Sequence, residues 1–145
     1  MVGVIITGHG SFATGMLSSL KLIAGDVENL SGVNFTEDDS TETLEEKLKS
    51  SINEMKCDEI IILSDLAGGS PFKVSAMLSS TINDKKIKVI SGTNLGMLLE
   101  VSLCRDGMDA EELLQFAKTS GANSIKAFEL QIEKEIEETD EFDGI

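Results

Sequence analysis

The chain is predicted to fold as a single doubly wound α/β domain with a mainly parallel sheet, on three observations. Strand-like and helix-like stretches alternate along most of its 145 residues. The strand-like stretches are mostly short continuous apolar runs, as in a sheet covered on both faces. Polar, glycine-rich segments follow the first, third and fourth of these runs, where a parallel sheet presents its carboxyl ends.

Val2–Thr7 is short, β-branched and free of polar alternation, and predicts a buried first strand. Ser11 is placed to cap a helix whose apolar positions Phe12, Met16, Leu20 and Ile23 recur every three or four residues, with Gly25 as its stop. A weaker strand follows at Leu30–Phe35. Ser40 caps a second helix carrying Leu44, Leu48, Ile52 and Met55 on one face. Asp58–Ser64 ("DEIIILS") is the strongest strand pattern and runs into "DLAGGSPF". There, Ser70 as N-cap and Pro71 as first helical residue predict a third helix, because proline's missing N–H is not needed at that position. Lys86–Ser91 is the fourth strand, followed by "GTNLG" and a helix from Leu95 to about Arg105. Asp109 and Glu112 are spaced as a capping box for a helix expected to end before Gly121. Ser124–Ile132 reads as a last strand, more polar on alternate residues and suited to an edge or to another subunit.

No linker or repeat divides the chain, so residues 1–132 are expected to form one domain and 133–145 an acidic tail. Composition is globular, with 41% hydrophobic and 26% charged residues. No apolar run approaches the ~18 residues of a membrane span. The first residues lack the pattern of a signal peptide. Cys57 and Cys104 have no companion ligands, so the expectation is two buried, reduced thiols in a cytoplasmic protein. Formal charge is −14, and the tail, with seven acids and one lysine, contributes −6 of it. So acidic a surface repels phosphate backbones and argues against nucleic acid as a partner, whereas a basic docking face would be drawn to it.

His9, the single histidine, lies in the turn "GHGS" between the first strand and the first helix. With strand order 2-1-3-4, the first and third strands are neighbours at the crevice where the order reverses, and His9 and Asp65 face each other across it. Gly68, Gly69 and Ser70 offer amides and a hydroxyl at a helix start, and Gly10 and Ser11 begin another; such places bind anions, phosphate above all. A carboxylate that holds one ring nitrogen leaves the other free as a nucleophile. The combination points to a phosphorylated histidine whose group is passed on. No acidic cluster is placed for a metal, and no cofactor is required. The competing pattern is Gly8-x-Gly10-x-x-Ala13, a dinucleotide fingerprint between strand and helix. Its ribose-binding acid is poorly supplied: Asp26 and Glu28 precede the second strand and Glu37 lies after it.

Together, "ITGHGSFATGMLSSLKLIAG", "LSDLAGGSPFK" and "ISGTNLGMLLE" resemble the IIA component of the mannose-type phosphotransferase system, over roughly Met1 to Gln131. The wording of the first segment is most similar to the N-acetylgalactosamine/galactosamine branch. The resemblance implies that His9 is phosphorylated by the phosphocarrier HPr and passes the group to a IIB component, while a membrane IIC/IID pair imports the sugar. It also implies that Asp65 hydrogen-bonds the active histidine, that Ser70 is a nearby donor, and that the protein is a homodimer with an exchanged last strand. Two positions depart from the family pattern: Lys73 stands where asparagine is usual, and Ala67 where a bulkier residue is frequent.

Overall fold

The computed structural model describes residues 1–130. In chain order these form β1 (Gly3–His9), α1 (Phe12–Ala24), β2 (Leu30–Phe35), α2 (Thr41–Glu54), β3 (Glu59–Ser64), α3 (Ser70–Thr81), β4 (Lys86–Ile90), α4 (Leu95–Cys104) and α5 (Ala110–Asn123). The four strands make one parallel sheet in the order β2-β1-β3-β4, as predicted. Alternation along each strand feeds two separate cores. Val4 and Ile6 of β1 and Ile61 and Leu63 of β3 meet Leu20 of α1, Leu98 and Val101 of α4 and Leu113 of α5. Ile5, Ile60 and Ile62 point the other way, onto Leu44, Leu48 and Ile52 of α2 and Leu78 of α3. Both faces are buried, which explains why these strands read as unbroken apolar runs.

Local chemistry starts most helices where the sequence marks them. The Ser40 hydroxyl accepts the Thr43 N–H at 3.2 Å, and Asp109 and Glu112 form the reciprocal capping box. Asn94 caps α4 by accepting the Met97 N–H at 2.9 Å. Gly25 ends α1 at φ 74°, a conformation that favours glycine.

Several expectations are corrected. Ser11 makes no side-chain cap bond, because its backbone (φ −95°, ψ 22°) departs from the extended N-cap geometry. The Thr14 N–H instead reaches the Asn34 side chain on β2, at 3.2 Å. The N-cap of α3 is Gly69, and Ser70 is already helical. Helix α5 runs through Gly121 to Asn123. That glycine serves close packing: a Cβ there would lie 2.6 Å from the Met97 methyl of α4, and its carbonyl accepts the Asn94 side-chain N–H at 2.9 Å. Cys57 is buried as expected, whereas Cys104, at the end of α4, is exposed. The expected last strand is absent over residues 124–130, which form no ladder and leave Ile125, Phe128 and Leu130 exposed. Its final two residues and the acidic tail lie outside the described residues.

Arg105 secures the end of the sheet opposite the glycine-rich loops. Only 2% exposed, it donates to the carbonyls of Val2 at 2.9 Å and Asn29 at 3.1 Å, and also to that of Glu28. It thereby ties the start of β1 and the entry to β2 to the end of α4. Replacing Arg105 by alanine should lower the unfolding free energy by about 3 kcal/mol in urea denaturation, since each buried carbonyl left unpaired costs roughly 1–3 kcal/mol.

Candidate active site

The chain leaves β1 for α1 on one face of the sheet and leaves the adjacent β3 for α3 on the other. A crevice therefore opens between the two carboxyl ends. His9 is the last residue of β1, and Asp65 follows β3 directly. Oδ2 of Asp65 accepts the His9 backbone N–H at 2.9 Å and bonds the ring Nδ1 at 2.6 Å; Oδ1 accepts the Leu66 N–H at 2.8 Å. Partial burial is the largest single influence on Asp65 and pushes its carboxyl up. The bonds from the His9 N–H, the His9 ring and the Leu66 N–H together outweigh it and hold the group below its ordinary value. An ionised carboxylate only accepts, so Nδ1 carries the proton and the free lone pair of the ring sits on Nε2.

The imidazole side chain is 46% exposed and the carboxylate 11%, so the nucleophilic edge faces outward while its anchor is sheltered. Phe35, at the end of β2 and in register with His9, meets the ring edge-on with centroids 5.7 Å apart. Gly69 completes the surround. A Cβ there would stand 3.0 Å from Nε2 and closer still to Cε1, so only glycine lets the start of α3 touch the ring. Because Gly69 caps the helix and Pro71 has no N–H, the amides of Gly69, Ser70 and Phe72 are left without helical partners. The Ser70 hydroxyl is likewise not used as a cap.

The remaining residues picked from the sequence play unequal parts. Gly68 lies in the exposed loop before the cap, with open space around it. Ser11 is exposed at the start of α1. Gly10 differs from expectation: at φ +60° it makes the turn out of β1, but its N–H donates to the Phe35 carbonyl at 2.8 Å and is not available to an anion. The third glycine-rich loop acts as a brace. Gly92 N–H bonds the Asp65 carbonyl at 3.0 Å, while the Thr93 N–H and hydroxyl bond the Ser64 carbonyl at 3.2 and 2.7 Å.

Phe35 and Asn34 were not singled out from the sequence. The order 2-1-3-4 places the end of β2 beside His9, but their role depends on a register that a six-residue strand does not reveal. The dinucleotide pattern finds no support. Gly8 is glycine because a Cβ would collide with the Phe12 ring, and the Gly10 N–H is spent on Phe35, so both glycines serve the protein's own packing.

Comparison with known proteins identifies the family. Residues 3–118 match the EIIA-man family model, described as the PTS system fructose IIA component. The fructose-specific EIIA component of Bacillus subtilis (strain 168) is 31% identical over 135 residues, covering 92% of this chain and 91% of that protein. The mannose-specific EIIAB component of Escherichia coli (strain K12) is 28% identical over 128 residues, which is 87% of this chain but 39% of that longer protein. The crystal structure of the phosphotransferase system component EIIA from Streptococcus agalactiae superposes with a TM-score of 0.83 at 42% identity, over 88% of this chain and 98% of that one. A fold and a sequence that agree in this way make the chain a member of the EIIA-man family, the phosphotransferase IIA components of sugar phosphotransferase systems.

Proposed function

We propose that His9 is the phosphoryl carrier of this component, taking the group from phosphorylated HPr and giving it to a IIB component that serves uptake through a IIC/IID membrane pair. The observation that carries this is the anchoring of Nδ1 by Asp65, which leaves Nε2 as a half-exposed nucleophile against the start of α3. The Nε2 lone pair attacks phosphorus, and the bond from phosphorus to the donor breaks, its electron pair leaving with the donor. The proton stays on Nδ1, so the ring becomes a phosphorylated imidazolium, and the ionised Asp65 stabilises the positive charge as it develops. The amides of Gly69 and Ser70 and the Ser70 hydroxyl, with the Gly68 loop and Ser11 around them, are the donors for the phosphoryl oxygens. Transfer to IIB runs the same steps in reverse.

The protein works in the cytoplasm on this proposal; no described helix is long and apolar enough to cross a membrane. It acts as a homodimer in which the segment after α5 is exchanged. The exposed Ile125, Phe128 and Leu130 support this, as does a groove of about 580 Å³ along β4 lined by Val89, Ile90, Met97 and Leu114. The sugar is of the N-acetylgalactosamine/galactosamine class, on the wording of the first glycine-rich segment.

Incubation with phosphoenolpyruvate, enzyme I and HPr should give an acid-labile adduct that mass spectrometry under alkaline conditions places on His9. His9→Ala should abolish it, and Asp65→Ala should fold yet accept phosphate about 10²-fold more slowly, the size of a lost orienting and acid–base partner. Full labelling of His9→Ala would overturn the proposal.

The lowered Asp65 carboxyl also fixes the sign of a pH effect. A group whose folded pKa is depressed contributes stability that is present above the unfolded value, near 4, and is lost as pH falls through the folded value. In urea titrations, the stability advantage of the wild type over Asp65→Asn should therefore shrink as pH is lowered below about 4.

A further inference from the structure

Lys73 is one of the two departures from the family pattern, and the structure places it one turn above the site. Its N–H donates to the Gly69 carbonyl at 3.1 Å, so it follows by one turn the residue whose missing Cβ makes room for the His9 ring. One turn is about 5.4 Å of axial rise. Helical side chains lean back toward the N-terminus, and the four-methylene stem of lysine spans that distance.

Among the described residues its ammonium has no partner, as is also true of Lys56, Lys118 and Lys126, and what sets it apart is its place one turn after the Gly69 cap beside His9. Lys21, Lys47, Lys49, Lys86 and Lys88 pair with carboxylates, and Lys85 is held by the carbonyls of Met55 and Cys57. Lys73 is exposed, and among the described residues no ion pair or hydrogen bond engages its ammonium. The first turn of a helix is also the least favourable place for a cation, because the macrodipole is positive there. No acidic residue in that turn offsets it. In a chain of net charge −14, an unpaired cation at this position is matched by one anion that the proposed function supplies.

We propose that the Lys73 ammonium binds the phosphoryl oxygens on His9 Nε2, adding a charged donor to the amides at the start of α3. This rests on His9 as the phosphoryl carrier. No bond is made or broken by the lysine. It pairs with the oxygens while the group moves, which lowers the cost of the charge they carry.

The test is a comparison of wild type, Lys73→Gln and Lys73→Arg, each phosphorylated through enzyme I and HPr. Phosphorus NMR of the isolated phosphoprotein over a pH series reads the phosphoryl group with no partner bound. Loss of the cation should move the phosphoryl titration upward by about half a pH unit and slow single-turnover acceptance from HPr by about tenfold. Arginine should restore both. Thermal unfolding of Lys73→Gln should be unchanged or slightly raised, since a cation leaves the first turn of a helix. A phosphoryl titration identical to wild type in Lys73→Gln overturns this inference even if acceptance slows, because the lysine would then act only in docking. Absence of any phosphohistidine signal in the wild type overturns the carrier proposal itself.

Discussion

One carboxylate oxygen organises this molecule's chemistry. Oδ2 of Asp65 receives both the backbone N–H and the ring Nδ1–H of His9, so the end of β1 and the imidazole it carries are fixed by the same atom. A side chain of this length has free rotation about two bonds. Two acceptances at one oxygen, with a third bond from Leu66 holding the other, remove most of that freedom. The tautomer follows from the same contact, because an ionised acceptor leaves the proton on the ring. The rest of the site either fixes the backbone that carries the carboxylate, as the Gly92–Thr93 brace does, or shapes the space at Nε2, as Phe35 and Gly69 do.

The sheet supplies what a loop alone could not. His9 and Asp65 are 56 residues apart in the chain and become neighbours because β1 and β3 pair directly, with Thr7 opposite Ser64. The two cores then hold α1 and α3 on opposite faces, so two helix starts flank one crevice. Arg105 closes the other end of the same strands with bonds to backbone carbonyls, so this anchor of the scaffold lies away from the candidate site.

Much of this was legible in the residues. Unbroken runs such as "IIIL" in β3 predicted a sheet covered on both sides, and the positions of His9 and Asp65 after their strands predicted that they meet. What escaped depended on partners distant in sequence. Gly121 has the look of a helix stop, and only the approach of Met97 shows that it is there for packing. Gly10 resembles an anion-binding amide until Phe35, delivered by the register of β2, takes its N–H. Ser11 and Ser70 are both good capping residues by type, yet the backbone angles at these turns leave the one at the cap position without a cap bond and place the other inside the helix. Residues 124–130 carry a strand-like pattern but pair with no strand among the described residues.

The outward tilt of the ring has a consequence for traffic through the protein. A single nitrogen at the rim of a sheet, with its other nitrogen tied down, offers one face to every visitor. On the carrier role proposed for His9, whichever protein delivers the group must vacate that face before the next can take it. Donor and recipient therefore compete for the same ground, and loading and unloading alternate as separate visits without the two ever sharing the carrier.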